Sequence, residues 1–312
     1  MTSETIDAAA AGSWTLGDLS VRRVGLGAMR LTGSAAFHLG TPRTREGAIA
    51  VLRRAVELGV NHIDTAAFYF SSLRSANELI NSALGGPYPD DLVIVTKVGP
   101  HREYSGEWGT AARPDQLRGQ VEENLRQLGR DHLDVVNLRR MRQDSIAEHF
   151  GALAELREAG LVRHLGVSAV EPRHLAEARA IAPVVCVQNQ YGLRGPDPAA
   201  DEMLRLCGEQ GLAFVPFYAI AGEAGPQGAS TAHDEELLAV ARAHDATPAQ
   251  IRLAWTLNQG PHVLAIPGTG NPDHLAENVA AGALRLTGEE MARLNAVHRG
   301  EASRQSGTNG FI

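Results

Sequence analysis

The chain has 312 residues, 44% hydrophobic and 21% charged, which is enough apolar material for a large core and excludes a disordered, collagen-like or coiled-coil chain. Its 29 basic and 36 acidic residues leave a net charge of −7, which argues against nucleic-acid or anionic-membrane docking and points to a small-molecule partner. Cys186 and Cys207 are the only cysteines, too few for a disulfide framework or a cysteine-rich metal site, so a reducing cytoplasm is expected and a metal is not.

Residues 1–12 carry Glu4 and Asp7, and their apolar run is too short for a secretory core, so this start is expected to be disordered and not an export signal. No window approaches the ~18 uninterrupted apolar residues of a membrane helix. Trp14 to Leu16 and Ser20 to Arg22 flank Gly17-Asp18 and read as a hairpin. Eight strand-like runs then follow, at 24–27, 60–63, 92–98, 133–138, 164–167, 184–188, 213–217 and 263–266. Helical patterns lie between them, among them 44–58, 114–127, 146–158, 172–181, 201–209 and 272–280, many opening on Ser, Thr, Asp or Pro.

Strand–helix alternation implies parallel strands with crossover helices, and eight such units without a break in composition favour one α/β fold, a (β/α)8 TIM barrel, over two open sheets. The barrel is expected to occupy 13–300, with a tail at 301–312. An open dinucleotide-binding sheet would place GxGxxG after its first strand, whereas Gly25-Leu26-Gly27-Ala28-Met29-Arg30 lacks the third glycine. The long loops 30–43, 99–113 and 222–230 follow strands and so belong at the C-terminal face, where barrels keep their chemistry; 222–228 reads as a mobile cover.

Asp64 closes a strand, Tyr69 follows in the next loop, and Lys97 closes another strand. A tyrosine can protonate a developing alkoxide, but its ordinary pKa near 10 makes it a sluggish acid unless a cation steadies the phenolate. Lys97 is placed to be that cation, and Asp64 to hold it charged. His38, His62 and His101 lack metal-ligand spacing, and His62 is expected to face the barrel exterior or a helix.

These residues, within Asp-Thr-Ala-x-x-Tyr and a strand-end Lys, resemble the aldo-keto reductase superfamily. Further matches are Leu128-Gly129-Arg130-Asp131-His132-Leu133-Asp134, Gly166-Val167-Ser168, Val187-Gln188-Asn189-Gln190-Tyr191, and Ile266-Pro267-Gly268-Thr269 with His274-Leu275-Ala276-Glu277-Asn278. The stretches 59–64, 134–139, 185–189 and 215–217 look like the bacterial branch that contains pyridoxal reductases. The resemblance implies that a carbonyl is reduced by hydride from NADPH, with NADH the alternative, and that the catalytic set is Asp64, Tyr69, Lys97 and the residue at 139. It also implies a cofactor set: Ala28 and Met29; Ser168 and Gln188 at the nicotinamide carboxamide; Phe217 stacked on the ring; and Gly268, Thr269, His274, Glu277 and Asn278 toward the adenosine. Pyridoxal is the first substrate expected, with other small or sugar-derived carbonyls next. A cofactor-bound regulatory protein of the same fold is the competing class.

Four positions depart from the family pattern. Arg139 stands where most members have His; its guanidinium cannot donate a proton in practice but could stabilise an alkoxide or a substrate phenolate, and the alternative is a structural ion pair with Asp64 or another carboxylate. Ala169 replaces the usual Asn beside the carboxamide. Gly270-Asn271 replaces a Ser-Ser pair that could grip a 2′-phosphate, leaving the helix N-terminus after Thr269 to receive phosphate.

Overall fold

The computed structural model describes residues 6–33, 41, 43–103, 105–193, 195–220 and 235–300. The expected hairpin forms: β1 (Ser13–Leu16) pairs antiparallel with β2 (Leu19–Arg22) across Gly17-Asp18. The main strands are β3 (Leu26–Gly27), β4 (His62–Asp64) and β5 (Val93–Val98). After a small antiparallel hairpin of β6 (Pro100–Arg102) and β7 (Trp108–Ala111) come β8 (Leu133–Arg139), β9 (Val162–Ser168), β10 (Val184–Gln188) and β11 (Ala213–Phe214). The main strands form one parallel sheet in the order β11-β10-β9-β8-β5-β4-β3.

Residues 263–266 close that sheet into a barrel as its eighth staves. On one side Leu264 N donates to Phe214 O at 2.9 Å; on the other Ala265 N donates to Arg23 O at 2.7 Å and Gly25 N to Ala265 O at 2.8 Å. This seam is tight at Gly27, where a Cβ would fall 2.6 Å from Ile266 O.

Around the barrel run α1 (Arg45–Glu57), α2 (Ala76–Leu84), α3 (Leu117–Leu128), α4 (Ala147–Glu158), α5 (Pro172–Ile181), α6 (Pro198–Glu209), α7 (Glu235–Ala243), α8 (Pro248–Leu257), α9 (Pro272–Ala280) and α10 (Gly288–His298). Local chemistry sets their starts: Thr44, Ser75, Asp197, Thr247 and Thr287 each accept a hydrogen bond from a first-turn backbone N–H. The strands are buried on both faces, as a wrapped parallel sheet requires. Ile63, Ile94, Val136, Leu165 and Val167 pack outward against the helices, while Val93, Val95, Val135, Cys186, Ala213, Val215, Leu264 and Ile266 fill the lumen. Leu16 and Val21 of the hairpin join the lumen cluster and plug it.

Several expectations are corrected. Within the start expected to be disordered, Ala8–Ala11 is a 3-10 turn with Ala8 and Ala11 buried, because Asp7 caps it and Ala8 N donates to Leu58 O at 2.8 Å. His62 points into the lumen, since it alternates with Ile63 and shares the inward parity of Asp64. Loop 99–113 holds the β6–β7 hairpin, and the pattern at 114–127 begins with a 3-10 turn, Pro114–Gln116, before α3. The loop 222–230 with its cover at 222–228, the tail at 301–312, His38 and most of loop 30–43 lie outside the described residues.

Candidate active site

Asp64 and Lys97 sit on adjacent parallel strands, with Asp64 opposite Val95, so both side chains enter the lumen near its C-terminal rim. Lys97 Nζ donates to Asp64 Oδ1 at 2.6 Å, to Oδ2 at 2.7 Å and to Thr65 O at 3.0 Å, with each side chain of the pair only 4% exposed. Burial pulls the Lys97 ammonium down while the Asp64 carboxylate holds it up. The tyrosine loop leaves β4 in a turn: Tyr69 N donates to Ala66 O and Ala76 N to Tyr69 O, both at 2.9 Å. Lys97 Nζ lies 4.9 Å from the centre of the Tyr69 ring.

The Tyr69 hydroxyl is pushed well above an ordinary phenol, by burial first and by the Asp64 carboxylate next. Arg139 pulls it back down, and Lys97, the cation expected from the sequence to steady the phenolate, lies over the same ring.

Arg139 ends β8 at the rim of the same cleft. Among the described residues no carboxylate lies within ion-pair distance of it, so a pair with Asp64 is not formed. Asp64 is instead occupied by Lys97 and by Gln188, whose Nε2 donates to Oδ2 at 2.8 Å. Arg139 Nη1 donates to Arg140 O at 2.8 Å, and its guanidinium carbon lies 6.0 Å from the Phe217 ring centre. Its positive charge therefore faces the cleft without an acidic counter-ion among those residues. Asn137, on the same strand parity, is fully buried beside Gln188 at 3.5 Å.

Asp64, Tyr69, Lys97 and Arg139 converge on one cleft of ≈ 1060 Å³, together with Met29, Ser168, Gln188, Phe217 and Gly268 of the expected cofactor set. A second cavity of ≈ 300 Å³ shares Gly268 and Ile220 with it and is lined by Thr269, His274, Glu277 and Asn278. Ala28 joins neither: its side chain is buried in the helix–sheet core, and its neighbours Gly27 and Met29 face the cleft instead.

The cleft fits a nicotinamide. Ser168 Oγ is buried at its wall with no hydrogen-bond partner among the described residues, an arrangement that costs ~1–3 kcal/mol unless a ligand satisfies it. Two non-glycine residues with left-handed backbone stand beside it, Ala169 (φ 56°) and Tyr218 (φ 65°); such strain concentrates at functional sites. Tyr191, by contrast, is packing: it stacks on Trp255 with ring centres 5.7 Å apart and donates to Asp201 at 2.9 Å.

Some lining residues had no sequence signal. Arg252 reaches the second cavity from α8, and Arg43 lies against the loop before α9, its Nη1 donating to Gly270 O at 3.3 Å. Only folding brings these distant segments together.

Residues 23–299 match the model of the aldo/keto reductase family. The chain belongs to that family. It is accordingly an NAD(P)H-dependent oxidoreductase. It is 45% identical to the pyridoxine 4-dehydrogenase of Escherichia coli over 294 residues, 92% of this chain and 98% of the relative. Among solved structures it resembles a thermostable aldo-keto reductase in complex with epalrestat, with TM-score 0.77 and 31% identity over 91% of this chain and 99% of the other. It also resembles an aldo-keto reductase of Klebsiella pneumoniae in complex with NADPH, with TM-score 0.73 and 27% identity over 92% and 94% of the two chains. Among the described residues of this reductase, no helix is long and apolar enough to cross a membrane.

Proposed function

We propose that this reductase converts an aldehyde or ketone to an alcohol with NADPH, that Tyr69 donates the proton, and that pyridoxal is the first substrate to test. The observation that carries the reading is the convergence of Tyr69, the Asp64–Lys97 pair and Arg139 on one cleft. A bound nicotinamide would supply the hydride. Ser168 and Gln188 would hold its carboxamide, Phe217 its ring face, and Gly268, Thr269, His274, Glu277 and Asn278 the phosphate and adenosine side. Arg43 beside Gly270 adds positive charge near that end, which supports NADPH over NADH.

The protein's own part is acid catalysis and charge stabilisation. Tyr69 delivers its proton as negative charge develops on the carbonyl oxygen, and Arg139 favours that charge electrostatically. Pyridoxal carries a phenolic oxygen next to its aldehyde, so the same guanidinium suits a substrate phenolate. The identity to a pyridoxine 4-dehydrogenase supports this choice.

The test is NADPH oxidation with pyridoxal, simple aldehydes and sugar-derived carbonyls, with product identification. Tyr69→Phe should bind NADPH as the wild type does and lose about 10²- to 10⁴-fold in turnover. Retained turnover would remove Tyr69 as the acid, and a kcat/KM favouring NADH would remove the NADPH assignment. Tight NADPH binding without oxidation by any carbonyl would favour a regulatory protein of this fold.

A further inference from the structure

Arg102, on β6, is only 7% exposed and donates to three backbone carbonyls. One terminal nitrogen, Nη1, donates to Phe68 O at 2.8 Å and to Phe70 O at 2.7 Å, the two carbonyls on either side of Tyr69. Its Nε donates to Gly106 O at 3.1 Å, within the turn that joins β6 to β7. The guanidinium also covers the Phe70 ring, 4.2 Å from its centre. Phe68 in turn packs edge-on against Trp108 of β7 with ring centres 5.7 Å apart, and against Tyr69 at 5.2 Å. Burial draws the guanidinium down to about 10, still charged at neutral pH.

Burying a cation is costly, and this one is compensated by carbonyl acceptors in the backbone on both sides of the proposed acid. Arg102 makes no direct contribution to the cleft lining, whereas Tyr69, Phe68 and Trp108 do. A peptide with both flanking carbonyls tied to one planar group has little freedom to swing its side chain. The same guanidinium ties that peptide to the hairpin that walls the cleft.

We infer that Arg102 is a positioning residue, which holds Tyr69 at the proton-transfer distance by pinning the Phe68 and Phe70 carbonyls and couples that placement to the β6–β7 hairpin. The inference rests on Tyr69 being the acid. A residue that only glued the hairpin would act on substrate binding, through Trp108 and its neighbours; a residue that places the acid acts on the chemical step.

The experiment compares wild type, Arg102→Met and Arg102→Lys by steady-state kinetics on the best carbonyl substrate, NADPH titration and amide hydrogen exchange. Arg102→Met is expected to lower kcat by about 10- to 100-fold with KM for the carbonyl and Kd for NADPH changed far less, the penalty typical of a catalytic group displaced by about an ångström. Exchange at the Tyr69 and Ala76 amides should rise in the same variant, and Arg102→Lys, which keeps a donor, should recover part of both losses. A kcat like that of wild type with KM raised overturns the inference, as does unchanged exchange at those amides in Arg102→Met. If the wild type reduces no carbonyl, the failure falls on the assigned activity, and exchange at the tyrosine loop alone decides the role of Arg102.

Discussion

At the scale of single residues the site separates two kinds of positive charge. Lys97 is committed to Asp64 through both carboxylate oxygens and lies over the Tyr69 ring. Arg139 has no carboxylate partner among the described residues and favours Tyr69 ionisation. Arg139→Met should therefore fold normally and lose about 100-fold in kcat, comparable with removing one donor from an oxyanion site. Unchanged turnover in a folded variant would end that role. The pH dependence follows from the same balance. Tyr69 must be protonated to act, and its proton affinity lies well above that of a free phenol, so reduction should show no alkaline decline due to Tyr69 below pH 10.0. A kcat profile falling with an apparent pKa near 8 would contradict this.

At the scale of elements, neighbouring strands hold the polar site by close approach. Gly166 on β9 lies opposite Asn137 on β8, and a Cβ there would fall 2.0 Å from Asn137 Oδ1 and 2.6 Å from Cys186 Sγ. Asn137 cannot yield freely, because it is fully buried between Cys186 and Gln188. Gly166→Ala should cost about 1–3 kcal/mol in denaturant unfolding, the usual penalty for overpacking, and weaken NADPH binding by displacing Gln188. A midpoint and a Kd both equal to those of wild type would show that the site relaxes without strain. Element boundaries were readable where a chemical marker announced them. Thr44 caps α1 one residue before the helix, and Pro272 opens α9 where the pattern begins. The final strands are less regular than their apolar runs: Ala213–Phe214 forms a two-residue strand, and Phe217, Val263 and Ala265 form isolated bridges.

At the scale of the whole molecule, closure creates environments that no strand has alone. His62 is the clearest case: it is 1% exposed inside the barrel, its Nδ1 has no hydrogen-bond partner among the described residues, and burial brings it down to about 4 from 6.5. Between those two values the unfolded chain binds a proton that the folded chain refuses, so stability rises with pH there and is lost on acidification. The shift corresponds to about 3 kcal/mol. The loss of unfolding free energy between pH 7 and pH 4.5 should be smaller in His62→Gln than in wild type by an amount of that order; equal losses would refute the buried neutral imidazole. Its inward orientation was misread from sequence because a three-residue strand, His62–Asp64, offers too short an alternation to tell the two faces apart.

The sequence by itself determined the fold class and singled out Tyr69, Lys97 and Asp64 as the candidate acid, its lysine and its aspartate. Strand–helix alternation and strand-end chemistry are local and survive without coordinates. It also marked Arg139 as a departure, yet it could not choose between an ion pair and a charge left facing the cleft. That choice needed the distances around Asp64, which Lys97 and Gln188 already fill. Tertiary structure alone decided that Arg102 grips the carbonyls beside Tyr69 and that Arg252 and Arg43 approach the second cavity and its neighbouring loop. These contacts join segments far apart in the chain, and a long flexible side chain leaves no periodic trace of the partner it will find once the barrel closes.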